Sequence, residues 1–250
     1  MLHLRSTVVA ASLMLLWTTA QAETVSVAVA SNFTAPMQAI AAQFAQDTGH
    51  TAQLSFGATG KFYAQITHGA PFGVLLAADD TTPAKIAQAG LGDGASRMTY
   101  AVGRLVLWSP QPGYVDREGQ VLRTGRYAHL AMANPKVAPY GQAAAATLEK
   151  LGLTTHVTPK TVLGENIGQT YQFVASGNAA LGFVALSQVM QHGALTHGSA
   201  WIIPATMHPP LRQEAIVLNP GKHNAAAQAL IAYLKSAPAR AIMRDYGYAF

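Results

Sequence analysis

The chain has 250 residues, no cysteine, 50% hydrophobic and 11% charged residues, and sixteen Lys or Arg against eleven Asp or Glu. Without cysteine there is no disulfide scaffold, no thiolate metal site and no Cys nucleophile, and so little charge among so many apolar residues is not the composition of a disordered chain. The small positive excess is scattered over single Lys and Arg residues, which leaves no basic run to follow a nucleic acid.

Residues 1–22 read as a secretory signal. Arg5 stands near the start, an apolar run covers 8–17, and Ala20-Gln21-Ala22 forms a small-x-small cleavage pattern. The run is short for a membrane span, so the mature chain is expected in the periplasm, an oxidising compartment that suits a protein without thiols.

Beyond the signal, apolar runs rich in Val, Leu and Ile end in small polar residues and give way to patterns of helical period. A strand over 25–29 precedes Ser31-Asn32 and a helix over 35–44, whose Met37, Ile40, Ala41 and Phe44 share one face. A strand over 54–56 runs through Gly57-Ala58-Thr59-Gly60 into a helix over 61–67. A buried-type strand over 73–77 precedes a helix opened by Thr82-Pro83. A longer strand, 101–108, and the Pro/Gly-rich loop 109–113 mark a boundary. A strand over 130–133 then leads through Pro139-Tyr140-Gly141 to a helix over 142–151, and Asn166 opens another over 167–175. Strands over 181–184 and 214–218 and helices over 224–235 and 238–246 complete the chain. Such alternation predicts an α/β protein of mainly parallel sheets with helices on both faces.

In open parallel sheets ligands bind beyond the carboxyl ends of the strands. Ser31-Asn32, Ala58-Thr59-Gly60, Pro139-Tyr140-Gly141 and Asn166-Ile167-Gly168 each put a helix start there, with unpaired backbone N–H groups and the positive end of a helix dipole. Taken singly, each is an ordinary helix cap. Taken together they describe an anion trap, to which the hydroxyls of Ser31, Thr59 and Tyr140 and the amide of Asn32 add directed donors and no cation. Other chemistry lacks its residues: no Gly-x-Ser-x-Gly elbow occurs, the histidines form no helical ligand pair for a metal, and the adjacent Asp79-Asp80 face opposite ways on an extended segment. No enzyme and no cofactor is expected.

The stretches Val27-Ala28-Val29-Ala30-Ser31-Asn32-Phe33, Ser55-Phe56-Gly57-Ala58-Thr59-Gly60, Gly69-Ala70-Pro71-Phe72, Ala133-Asn134-Pro135-Lys136-Val137-Ala138-Pro139-Tyr140-Gly141, Gly164-Glu165-Asn166-Ile167 and Leu181-Gly182-Phe183-Val184 resemble, in order, blocks of the periplasmic molybdate-binding proteins of ABC transporters. The resemblance covers nearly the whole mature chain. It implies a two-lobed type II periplasmic binding fold, each lobe a mainly parallel sheet flanked by helices. Two crossover strands, 102–108 and 214–218, would join lobe I (23–101 and 212–250) to lobe II (102–211). It further implies molybdate, and tungstate with it, as ligand in the cleft, an ABC permease as partner, and a monomer. Carried over by position, Ser31, Thr59, Tyr140 and Ile167 are the oxyanion-binding residues, the last two through backbone N–H, with Asn32 as an addition.

The chain departs from the family pattern at Gly73, where many relatives have Asp, at Ala77, where they have Ser, and at Ala185, where several place a ligand-binding Tyr. Either Tyr140 or Asn32 replaces that donor, or the pocket is looser and prefers another anion. The alternatives kept beside molybdate are sulfate or thiosulfate on the same fold, ferric ion held by tyrosinates, and an oxyanion sensor that transports nothing. For iron, only Tyr140 lies at a cleft junction in the sequence reading.

Overall fold

The structure is a computed structural model that describes residues 22–250. The signal reading of 1–22 therefore falls outside the described residues, Ala22 excepted.

The first part of the chain runs β1 (Thr24–Ala30), α1 (Thr34–Thr48), β2 (Thr51–Gly57), α2 (Thr59–Thr67), β3 (Val74–Ala77), α3 (Thr81–Gln88) and β4 (Met98–Gly103). Next come β5 (Leu105–Ser109), the single turn α4 (Val121–Thr124), β6 (Leu130–Ala133), α5 (Pro139–Lys150), the single turn α6 (Thr154–Val157), β7 (Thr161–Gly164), α7 (Ile167–Ala175) and β8 (Leu181–Ala185). The short hairpin β9 (Met190–Gln191) and β10 (Ala194–Leu195), then β11 (Ser199–Ile202), β12 (Leu211–Val217), α8 (Ala225–Tyr233) and α9 (Ala237–Asp245) finish it.

Two five-stranded sheets result, ordered β2-β1-β3-β12-β4 and β11-β5-β8-β6-β7. In each, one strand opposes the other four: β12 is antiparallel to β3 and β4, and β5 is antiparallel to β8 and β11. This is the mainly parallel α/β architecture read from the sequence. The inner strands β3, β5, β6 and β8 are apolar at nearly every position because both faces are covered. In the first sheet Val25, Val27, Val29, Val74, Leu76, Ala215 and Val217 point to the side of α1, α8 and α9, and the intervening Ala28, Leu75, Ala77 and Ile216 to the side of α2 and α3. The second sheet divides the same way, with Leu105, Leu107, Leu130, Leu181 and Phe183 on one face and Val106, Trp108, Ala131 and Val184 on the other. Each Val, Leu, Ile or Phe among them, fully withdrawn from water, contributes about 1.5–3 kcal/mol.

The single strand expected over 101–108 is two strands in different sheets, with Arg104 alone between β4 and β5. Here the chain passes from the first sheet to the second. A side chain on Gly103 would overlap the Tyr140 hydroxyl, so a glycine is required where β4 ends. The strand expected over 214–218 begins earlier, at Leu211, and lies wholly in the first sheet beside β4. The return crossing is therefore the segment 203–210, not this strand. Two helices start earlier than their patterns suggest: α2 at Thr59, and α5 at Pro139, the latter because proline is pre-set for the first helical turn.

Candidate functional site

The four helix starts all reach one small cavity. β1 ends at Ala30 and turns through Ser31–Phe33 into α1; β2 ends at Gly57 ahead of α2. From the second sheet, the segment after β6 enters α5 and that after β7 enters α7, capped by Asn166. Ser31, Asn32, Thr59, Tyr140 and Ile167 all line the cavity, and the other lining residues are Ala, Gly and Pro, which leave backbone exposed to it. No lining residue among those described is charged. With a volume of about 10 Å³, the cavity is little more than the space of one water. A guest of several atoms enters only if the two sides part.

Each helix start supplies donors that the helix cannot use. Pro139 has no N–H, so Tyr140 carries the first donor of α5. Gly141 follows because a Cβ there would overlap the Ala133 carbonyl, which lets α5 sit hard against the end of β6. Ile167 carries the first N–H of α7, while the Asn166 side chain, the N-cap, accepts from Gln169 N at 2.9 Å. The Thr59 hydroxyl accepts from Ala78 N at 3.1 Å, which leaves its own proton to be given elsewhere. The Ser31 hydroxyl accepts from Gly168 N at 3.2 Å and donates to Asn166 Oδ1 at 3.2 Å. One torsion turns that proton into the cavity.

Asn32 and Tyr140 use their side chains differently from the sequence expectation. Both N–H groups of the Asn32 amide are taken, by Gln213 Oε1 at 2.7 Å and the Tyr248 hydroxyl at 2.8 Å. The Tyr140 phenol lies against Gly103, which does not line the cavity, and has no hydrogen-bond partner. The donors these two residues retain for a guest are their backbone N–H groups, the Asn32 Oδ1 being an unpaired acceptor. Ala185, one of the departures from the family pattern, is buried in the core beyond the cavity, and Gly73 packs against Val25 and Gly221 at the far end of β3. The departures at Gly73 and Ala185 thus lie away from the cavity lining.

The two sides touch directly at the mouth. Gly60 N donates to the Val137 carbonyl at 2.9 Å, and a Cβ on Gly60 would stand 2.9 Å from that oxygen and 3.0 Å from Val137 Cα. Nearby, Lys61 and Glu165 form an exposed ion pair at 2.7 Å.

Behind the cavity lies a cluster the sequence did not disclose. Tyr100, Tyr140 and Tyr248 are buried close enough for their phenolates to repel one another, so the sequence reading that put a single tyrosine near the cleft is corrected. Burial pushes all three phenols up, Tyr140 further through Tyr248 and Tyr100. Neutral phenols are the opposite of the tyrosinates that ferric ion requires. Gln213, Ser187 and Tyr248 give no local signal, since none stands at a helix start that ends a predicted strand.

A two-lobed α/β frame with helix starts meeting between its sheets is the shape of a solute receptor, and the family model for bacterial extracellular solute-binding proteins matches residues 25–249. The chain belongs to that family. It is 57% identical over 241 residues to the molybdate-binding protein ModA of Azotobacter vinelandii, covering 96% of both chains, and 47% identical over 229 residues to ModA of Rhodobacter capsulatus, covering 92% of this chain and 89% of that one. Among solved structures, the A. vinelandii periplasmic molybdate-binding protein superposes with a TM-score of 0.88 at 40% identity, over 90% of this solute-binding protein and 99% of that chain.

Proposed function

We propose that this protein captures molybdate, and tungstate with it, in the periplasm and delivers it to an ABC permease in the inner membrane. The observation that carries the reading is the meeting of four helix starts around one small cavity without a charged side chain. The names of the relatives agree with it. The ligand is held by the hydroxyls of Ser31 and Thr59 and the backbone N–H groups of Asn32, Tyr140 and Ile167. Hydrogen bonds to a charged partner contribute about 1.5–3 kcal/mol each, and together they replace the water shell of the dianion.

Residues 1–22 are removed on export, and the remainder acts as a monomer of two lobes, 23–101 with 212–250 and 102–211. The lobes part at the crossings near Arg104 and 203–210, admit the anion and close over it, and the closed form is what the permease reads. No covalent step is involved. Sulfate has the same charge and shape but shorter bonds, so walls set for the larger ion leave its oxygens underbonded. Hydrogen phosphate carries a proton, and the lining has no carboxylate to accept it.

A thermal-shift panel on the mature protein with molybdate, tungstate, sulfate, phosphate and ferric ion tests this. Ligands that bind the folded state alone raise the melting temperature by mass action, so molybdate and tungstate should give the large shifts. A larger shift with sulfate or ferric ion, or none with molybdate, overturns the reading.

A further inference from the structure

The carbonyl and side chain of Asn32 are fixed by groups from three distant parts of the chain. Its amide nitrogen donates to the Tyr248 hydroxyl at 2.8 Å, that hydroxyl reaches Ser187 Oγ at 3.1 Å, and Ser187 Oγ donates to the Asn32 carbonyl at 2.7 Å. The three residues form a closed ring that begins and ends on Asn32, with every hydroxyl both giving and receiving. The Tyr248 hydroxyl also lies 3.0 Å from the Asn32 carbonyl, and Gln213 Oε1 takes the second amide proton at 2.7 Å. Rings of this kind, shut off from water, strengthen their own members.

The ring joins the two sides of the molecule. Asn32 opens the helix start of the first sheet, whereas Ser187 follows β8 of the second. Tyr248 comes from the segment after α9, which is pinned beside β4 by Val102 N to Ala249 O at 2.7 Å and Ala249 N to Val102 O at 3.0 Å. Its ring stands edge-on to Phe33, 5.3 Å between centroids, so both the phenol and the helix start it serves are locked in place.

We propose that Tyr248 is a positioning residue: it holds Asn32 in the register that aims its N–H at the anion and receives Ser187 when the lobes shut, so that the ring sets how long the anion is held and how strictly its size is judged. The inference rests on the reading of the cavity as an oxyanion site. Tyr100 supplies the internal comparison. It packs on the same Phe33 ring at 5.0 Å and is as deeply buried, but its hydroxyl has no partner and takes no part in the ring.

The test compares Tyr248→Phe, Ser187→Ala and Tyr100→Phe for the dissociation rate of molybdate, the ratio of molybdate to sulfate affinity, and the melting temperature without ligand. Loss of a ring member should raise the dissociation rate about fivefold or more and narrow the affinity ratio, with Tyr100→Phe matching the wild type in both. If Tyr248→Phe fails to fold, Ser187→Ala alone decides, because it removes one small hydroxyl. Variants that melt earlier but release molybdate at the wild-type rate with the same ratio overturn the proposal and leave the oxyanion reading standing. A wild-type protein that binds neither anion ends both.

Discussion

The two sides of the cavity do the same job with different parts. The side built on the first sheet presents hydroxyls, Ser31 and Thr59, at the starts of α1 and α2. The side built on the second presents the starts of α5 and α7 through Tyr140 and Ile167, whose side chains are committed elsewhere: one phenol against Gly103, one sec-butyl group in the apolar core. Besides the backbone N–H of Asn32, the first side of the site is specified by side chain, whereas the second is specified by backbone path alone. Substitution should therefore be felt unequally across it.

The largest expected effect is on the hydroxyl side. Thr59→Ala and Ser31→Ala should each weaken molybdate binding about tenfold or more, since a charge-assisted hydrogen bond is lost from a dry site. Thr59→Ala also strands the N–H of Ala78, which donates to that hydroxyl at 3.1 Å, so the unliganded protein should lose about 1–3 kcal/mol in urea unfolding. Thr59→Ser keeps both contacts and should recover most of each loss. Calorimetry that finds the alanine variants unchanged would erase the asymmetry.

Much of this arrangement is legible in the sequence, for reasons that also set the limit. Strands such as Val25 to Val29 declare themselves because a parallel sheet covered on both faces needs apolar residues at most positions, Ser26 being the exception here. The helix starts are readable because Ser, Thr, Asn and Pro have local reasons to stand there. The passage between sheets is not, since a lone Gly103-Arg104 between two apolar runs has the same pattern whether the strand continues or changes sheet there. Nor is the ring behind the site: Asn32 meets Gln213 and Tyr248 across 181 and 216 residues of chain. The use of a side chain is equally hidden. Asn32 and Tyr140 qualify as donors by type, and only packing turns the amide toward Tyr248 and the phenol toward Gly103.

A smaller effect is expected where the two sides touch. Gly60 donates its N–H to Val137 across the cleft, and the approach is so close that a methyl group would meet Val137 backbone at 2.9–3.0 Å. Gly60→Ala should hold the sides apart by a few tenths of an ångström and weaken molybdate binding severalfold, about 0.5–1.5 kcal/mol if one hydrogen bond is lost. The melting temperature of the unliganded protein should stay unchanged. Unaltered affinity in this variant would mean that the Gly60 contact is not part of closure.

The smallest effect is expected from Tyr140→Phe, and it sharpens the comparison most. The Tyr140 hydroxyl is buried without a partner, and burial has pushed it far from ionising. A lone buried hydroxyl costs the folded state the hydration it gave up, so deleting it should be neutral or slightly stabilising. Under the proposed function residue 140 gives the anion only its backbone N–H, so the change should not register and affinity should stay within about twofold, a difference of about 0.4 kcal/mol. Ile167→Val should behave alike in binding while costing about 0.5–1.5 kcal/mol of stability, because its side chain belongs to the core. Should Tyr140→Phe instead lose fivefold or more in affinity, the phenol reaches the anion after all. The second side would then be read by side chain, as the first is, and the missing tyrosine at Ala185 would have its replacement in Tyr140.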